Sequence, residues 1–320
     1  MQKILVLTNT VDPHADSVIK LLTDQDSVFR VNTDELLNDF GFDFINDDED
    51  SIGRLINPLK QTLNLNDIRC IYYRRPEKPT STVFTDLEKV IIEEAWHGLY
   101  HMLFSAYEKN WLGHPHRDKY ASSRVVQLTH AKKIGWKTPP TLISRDPKKI
   151  RAFCQKYKDI AIKPLGEKGA TLEQEWVPYF TSRVSAEQIS IKSDAEISST
   201  YNYLQQYIPK KNEWRITVIG EDVFPCIIHS QKTEESQTDW RKVHFDTVLH
   251  EKATIPESFK NELIQYLKYL NLPFGAFDFI LTPEDEFVFL ECNPNGQWLW
   301  IEELTGLEIS RSIANWLEHN

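Results

Sequence analysis

The 320 residues carry 47 acidic against 37 basic side chains, a formal net charge of -10 at pH 7, with 41% hydrophobic, 26% charged and 12% aromatic content. That length and balance suit a soluble globular protein of two or three domains, and they speak against a nonspecific nucleic-acid binder, which needs excess Lys and Arg to neutralise phosphate. No apolar run approaches membrane-spanning length and Met1–Leu7 turns polar too soon for a signal peptide, so a cytoplasmic protein with no membrane or nucleic-acid partner is expected.

Lys3–Leu7 reads as a strand and Asp16–Leu22 as a helix with apolar residues at Val18, Leu21 and Leu22, the opening of an α/β layer. Phe29–Asn32 is the next strand. Gly41–Ile45 and Ser51–Ile56 form a hairpin around the acidic stretch Asn46–Asp50, a solvated turn because it lacks the glycine and spaced acids of a calcium loop. The strand Ile68–Tyr73 delivers Arg74 and Arg75 to a strand end, where open α/β sheets bind ligands; spacing alone leaves them as surface charges or an anion clamp. Asp86–Glu108 has the apolar spacing of a long helix, and its His97 and His101, one turn apart without a third ligand, read as packing or surface residues. Gly113, His114 and Pro115 break both periodicities, so Trp111–Pro115 marks the end of a first domain.

A helix runs from Ser122 to a stop at Gly135, and Thr138–Ile143 enters a strand. After the short helix Pro147–Lys156, the strand from Asp159 ends in Lys163, and the following Leu165–Thr171 contains Gly166 and Gly169, which permit close backbone approach to an anion. It is neither a GxGxxG fingerprint nor a P-loop, and alone it is weak evidence. Tyr201–Ile208 reads as a strand; Glu213–Gly220 alternates, which places Glu213 and Arg215 on one face. Val223–His229 leads through a polar loop to Arg241, by local sequence a surface charge, and Ser258–Leu270 and Ser310–Leu317 are helices. Cys70, Cys154, Cys226 and Cys292 are scattered without a CxxC pair and read as buried thiols.

Near the end of the chain two apolar runs, 277–281 and 287–290, are parted by the turn-like Thr282–Glu286 and read as a β-hairpin. Glu291 and Asn293 are two apart and leave the same face of an extended strand; paired in register, Asp278 lies opposite them. Three oxygen donors without His or Cys suit magnesium, which shares its shell with substrate phosphates. On spacing alone the alternative stays open that Asp278 is an edge-strand charge and Glu291–Pro294 an ordinary turn.

This hairpin resembles the metal-binding hairpin of the ATP-grasp ligases, in which an acid on one strand is followed by Glu-x-Asn on the next. The extension Asn293-Pro294-Asn295-Gly296-Gln297-Trp298 and the Tyr73-Arg74-Arg75-Pro76 run are similar to those of the ATP-grasp enzymes that cyclise ribosomal peptides of the microviridin type, the graspetide synthetases. The resemblance covers nearly the whole chain. It implies an α/β protein of the ATP-grasp fold, with an N-terminal α/β pre-ATP-grasp domain (1–115), a small central lobe (116–204) and a C-terminal α+β lobe bearing the hairpin (205–320). It also implies ATP and Mg2+ as cofactors, the metal on Asp278, Glu291 and Asn293.

The same resemblance puts Lys163 on the nucleotide phosphates under a loop containing Gly166 and Gly169, and the adenine on the backbone of a hinge at Gln206, Tyr207 and Ile208. Glu213 and Arg215 match an acid-x-Arg whose arginine lies near the terminal phosphate, and Arg241 falls at the γ-phosphate or acylphosphate end. Family members carry a lysine eleven residues before Gly135; the residue here is Arg124, so whether Arg124 or Lys119 makes that contact is open. Arg74 and Arg75 take a role in peptide binding or an inter-domain contact. The implied activity joins Asp or Glu side chains of a ribosomal precursor peptide, with leader and acidic core, to Thr or Ser hydroxyls or Lys amines through acylphosphates, in a homodimer. Two rivals stand beside it: another ATP-grasp ligase that adds amino acids to a protein or small molecule, and a nucleotide-binding regulatory module without catalysis.

Overall fold

The computed structural model describes residues 2–35, 40–46, 51–77, 85–105, 110–166, 169–172, 175–232, 236–243 and 247–320. Residues 47–50 of the acidic turn, 106–108 at the end of the long helix, 167–168 of the glycine loop, and the side chains of His97 and His101 lie outside the described residues.

β1 (Lys3–Thr8) is buried from Ile4 onward, as expected of a strand covered on both faces of a parallel sheet. α1 (Pro13–Ile19) follows; the Asp12 carboxylate accepts from the amides of His14 and Ala15 and Pro13 sits in the first turn, so the helix begins three residues before Asp16. β2 (Val28–Asn32) is next. β3 (Gly41–Asn46), β4 (Ser51–Ile56) and β5 (Thr62–Asn64) form a separate antiparallel sheet containing the expected hairpin. β6 (Ile68–Tyr73), α2 (Asp86–Ser105) and β7 (Asn110–Leu112) complete the region, and the parallel sheet has the order β2-β1-β6-β7.

Within Trp111–Pro115 the expected break falls at Gly113 and His114, and the residues on either side belong to a strand and a helix. Trp111 and Leu112 belong to β7 and are buried, and the His114 ring accepts from the amides of His116 and Arg117 to cap α3 (Pro115–Ala121). A three-residue strand is too short for its period to show in the sequence. The helix expected from Ser122 to Gly135 is α4 (Arg124–Lys133), which begins two residues later because Ser123 is extended, and it is preceded by α3, ending at Ala121, for which there was no expectation.

β8 (Thr141–Ser144), α5 (Pro147–Tyr157), β9 (Asp159–Lys163), the hairpin of β10 (Gly169–Leu172) with β11 (Glu175–Pro178), and β12 (Ser182–Ser185) follow. α6 (Ala186–Ser190) and α7 (Asp194–Ser198) each open with a complete capping box, and β13 (Asn202–Gln206) closes an antiparallel sheet of order β12-β9-β13-β8. Ile150, Cys154, Ile160, Ile197 and Leu204 form the core between this sheet and its helices.

β14 (Asn212–Ile219), β15 (Asp222–Ile228), β16 (His250–Lys252), α8 (Glu257–Tyr269), β17 (Phe274–Leu281) and β18 (Phe287–Asn293) build the largest sheet, antiparallel in the order β16-β15-β14-β17-β18. Leu263, Tyr266 and Leu267 of α8 pack on Phe277, Phe279 and Phe289 on one face. α9 (Leu299–Thr305) and α10 (Ile309–His319) take the far side, where Phe274, Trp298, Ile313 and Leu317 share one core with Ile4, Val6, Cys70 and Leu112. All four cysteines are buried free thiols. No described helix is long and apolar enough to cross a membrane.

Candidate active site

A cavity of about 570 Å³ lies between the β12-β9-β13-β8 sheet and the five-stranded sheet, within the size range of small-molecule sites. Lys163, Gln206, Tyr207, Ile208, Glu213 and Arg215 line it together with Arg124, Arg241, Asp278, Glu291 and Asn293. Gly166 and Gly169 are not part of this lining. Eleven of the thirteen residues singled out from the sequence thus meet in one space.

At the hinge, the Gln206 amide donates to Pro140 O at 2.9 Å and the Tyr207 amide to Asp159 O at 2.9 Å. Both are committed to the sheet. The Ile208 amide forms no hydrogen bond among the described residues and is the one available for an edge-on heterocycle. Arg183 lies over the Tyr207 ring at 4.1 Å from its centroid and pairs with Asp159, which holds that ring and leaves the backbone to face the cavity.

In the hairpin, Asp278 pairs with Glu291 and Ala276 with Asn293, the register that brings the three donors together. β17 lies between β14 and β18, so Asp278 is on an interior strand and not an edge. Phe289 points into the core, and strict alternation would send Glu291 after it. One extra residue, Leu290, is inserted between the pairs Asp278:Glu291 and Phe279:Phe289, and this β-bulge resets the parity so that Leu290 and Glu291 both face the cavity.

Asn293 Nδ2 donates to Asp278 Oδ2 and to Glu291 Oε1, each at 3.1 Å. Three side chains therefore converge within hydrogen-bond reach, and a flip of the Asn293 amide presents its oxygen in place of nitrogen. This donor set of hard oxygens fits magnesium. Among the described residues no group of three or more His, Cys, Asp or Glu side chains is placed to hold a metal ion.

Cations surround these acids. Arg215, opposite Asp278 on β14, donates from Nη1 to Oδ1 at 2.8 Å and Oδ2 at 2.7 Å, and from Nη2 to Gln297 O at 3.2 Å. Gly296 must be glycine here, because a Cβ would come within 2.6 Å of Ala276 Cβ and 2.9 Å of Arg215 Nη2. Arg124 forms an ion pair with Glu291. Lys119 is exposed on α3 and does not line the cavity, so of the two candidates Arg124 is the one at the site. Burial lowers the Lys163 ammonium to about 8, against the opposing pull of Glu291 and with the help of Arg124, Lys210 and Arg241. Glu213 is held by Lys210 at 2.8 Å, both side chains nearly buried. Asp239 grips Arg241 at Nε (2.8 Å) and Nη2 (2.6 Å) and pushes its pKa further up, which leaves Nη1 for an anion.

Sequence reasoning missed several residues. Gln205 lines the cavity at 1% exposure with Oε1 buried and unpartnered among the described residues; since Leu204 packs in the core, alternation along β13 was the available signal. Trp240 and Trp300, with ring centroids 5.0 Å apart, form an aromatic wall that no local pattern marks. The Arg74-Arg75 pair divides: Arg74 is buried and donates from Nη1 to Asn295 Oδ1 at 2.6 Å, just past the end of β18, while Arg75, with φ +46°, lines the cavity.

Two lobes that clasp a nucleotide-sized cavity, with a lysine on one and an acid-bearing hairpin on the other, make this an ATP-grasp fold, and the chain is an ATP-grasp ligase. The profile of the prokaryotic glutathione synthetase ATP-grasp domain matches residues 129–251. Over its full length the chain is similar to a Chryseobacterium gregarium RiPP-associated ATP-grasp ligase in complex with ADP and a leader and core peptide, at 28% identity and TM-score 0.90, covering 99% of this chain and 96% of that one. It is also similar to the macrocyclase MdnB from Microcystis aeruginosa MRC, at 26% identity, TM-score 0.80 and 100% of both chains. The fold of the macrocyclase MdnC of that organism, bound with precursor peptide MdnA, matches at 24% identity and TM-score 0.86, again over 100% of both chains. No curated protein sequence matches the chain.

Proposed function

We propose that the enzyme is an ATP-dependent macrocyclase of a ribosomal precursor peptide, joining Asp or Glu side chains to Thr or Ser hydroxyls as esters or to Lys amines as amides. The observation that carries this reading is the full-length likeness, at TM-score 0.90, to a RiPP-associated ligase complexed with leader and core peptide. The accompanying picture is a cytoplasmic homodimer whose lobes divide at 1–115, 116–204 and 205–320.

A carboxylate is a poor electrophile because its leaving group would be oxide. In the proposed reaction an oxygen of the peptide carboxylate attacks the γ-phosphorus of ATP and ADP leaves; the hydroxyl or amine then attacks the acyl carbon, loses its proton, and phosphate departs. Each ring therefore costs the peptide one water. Asp278, Glu291 and Asn293 would hold magnesium, which when bound neutralises phosphate oxygens. Lys163 and Arg124 offer their cations to the phosphate chain, and Arg215 and Arg241 stabilise the charge that builds at the transferring group. The Ile208 amide supplies a donor for the adenine edge.

The glutathione synthetase profile over residues 129–251 supports a second reading, ligation of a free amino acid or amine to a carboxylate. Mass spectrometry of the protein with ATP, magnesium and acidic precursor peptides containing Thr, Ser and Lys, beside an Asp278→Ala control, tests both. Loss of one water mass per ring, absent from the control, supports the macrocyclase. A gain in mass supports the second reading, and ATP turnover without any change in the peptide panel sinks the first.

A further inference from the structure

β18 is the outer strand of its sheet, and an outer strand leaves alternate N–H and C=O groups without a ladder partner. At Cys292, the residue between Glu291 and Asn293, both groups are taken by one side chain. Gln127 Oε1 accepts from the Cys292 amide at 3.1 Å, and Gln127 Nε2 donates to Cys292 O at 2.6 Å. The second Nε2 hydrogen goes to Ala121 O at 2.6 Å. A carboxamide carries the same donor and acceptor pair as a peptide group, so Gln127 stands in for the missing neighbouring strand over a single residue.

The placement is specific. Gln127 is 1% exposed and sits one turn along α4 from Arg124, so the two lie on one helical face, one on the backbone beside the metal hairpin's Glu291 and the other on the Glu291 carboxylate itself. Ala121, the third partner, is the last residue of α3. The turn between the two helices is thereby tied to the strand immediately after the Leu290 bulge, the point where β18 is held least by its own ladder. The hydrogen bonds leave Gln127 no freedom to rotate its amide: reversing it would set Nε2 against the Cys292 amide and Oε1 against two carbonyl oxygens.

We propose that Gln127 is a positioning residue for the cation site: by fixing the Cys292 peptide it sets the directions in which Glu291 and Asn293 project toward Asp278. This rests on the reading of Asp278, Glu291 and Asn293 as metal ligands. Residues that orient ligands from behind change metal affinity by about tenfold or more when removed. Gln127→Met keeps the length and removes the donor and acceptor.

The test is Mn2+ binding, followed by the electron paramagnetic resonance of the free ion, for the wild type, Gln127→Met and Asp278→Ala in the presence of ADP, together with ADP affinity measured without metal. The expected result is a Mn2+ dissociation constant about tenfold weaker in Gln127→Met with metal-free ADP affinity unchanged, a split that a merely structural role would not produce. A folded Gln127→Met that binds Mn2+ like the wild type overturns the inference. A wild type whose Mn2+ binding is unaffected by Asp278→Ala overturns the underlying reading instead. Should Gln127→Met fail to fold, amide exchange in the wild type decides: the Cys292 amide is expected to exchange as slowly as the amides of β17, and rapid exchange overturns the inference.

Discussion

Before any cation arrives, both acids of the hairpin are already neutralised, Asp278 by Arg215 and Glu291 by Arg124. A divalent ion entering here must displace at least one guanidinium, and the anion best placed to receive that guanidinium is a nucleotide phosphate. The enzyme is thus expected to bind magnesium weakly alone and well with nucleotide. The Arg124 and Glu291 side chains are 22% and 18% exposed, between a surface pair worth about 0.2–1 kcal/mol and an enclosed one. A hydrogen bond to a charged group contributes about 1.5–3 kcal/mol, so displacing Arg124 costs about 2 kcal/mol, or about 30-fold in cation affinity. Arg124→Gln removes that cost. Water-proton relaxation titrations with Mn2+ in the absence of nucleotide should show affinity rising about 30-fold in the variant, while calorimetry shows ATP binding weakened. A folded Arg124→Gln whose nucleotide-free Mn2+ affinity is unchanged or lower refutes the reasoning.

Lys163, lowered to about 8 chiefly by burial, offers a cation to phosphate only while protonated, so ATP affinity should be level below about pH 7 and fall above about pH 8. Calorimetry across that range checks it; the slope should vanish in Lys163→Met, and a level wild-type profile would contradict the assignment. Burial raises Asp118 from 3.8 to about 7, against the opposing pull of the His114 backbone and Arg117. The folded state then keeps a proton that the unfolded state has released, so stability falls as pH rises from about 4 to about 7 and is level above. Asp118→Asn should therefore unfold at a higher temperature than the wild type at alkaline pH and lose that advantage in acid, by scanning calorimetry; the reverse order would count against it.

The hairpin was legible because a single carboxylate in an apolar run, and a Glu and Asn two apart, leave few arrangements once the strands pair. The Leu290 bulge was not: reading Phe289 and Glu291 by parity alone puts both on the core face, and only the register with β17 reveals the extra residue. Arg124 was visible as a departure from lysine, but its partner Glu291 is 167 positions away in sequence, a contact no local pattern contains. Gln127 escaped for a related reason, since a polar residue on a helix face reads as solvated unless the buried strand edge beside it is known. The helix expected from Ser122 was legible but its start was not, since two consecutive serines suit a helix end as well as a helix start and the helix begins at Arg124.

The core shared by Ile4, Val6, Cys70 and Leu112 with Phe274, Trp298, Ile313 and Leu317 is closed by Arg69, which donates to Leu317 O at 2.7 Å and Glu318 O at 2.8 Å. The core of Ile150, Ile160 and Leu204 has no member in common with it. By apolar contact the N-terminal layer is therefore the foundation of the lobe that carries Asp278, and the sheet that carries Lys163 is the separate body. A fragment cut after Gly113 would strip Phe274, Trp298 and Leu317 of their cover, so the first third of the chain cannot be treated as an accessory to a self-sufficient catalytic core.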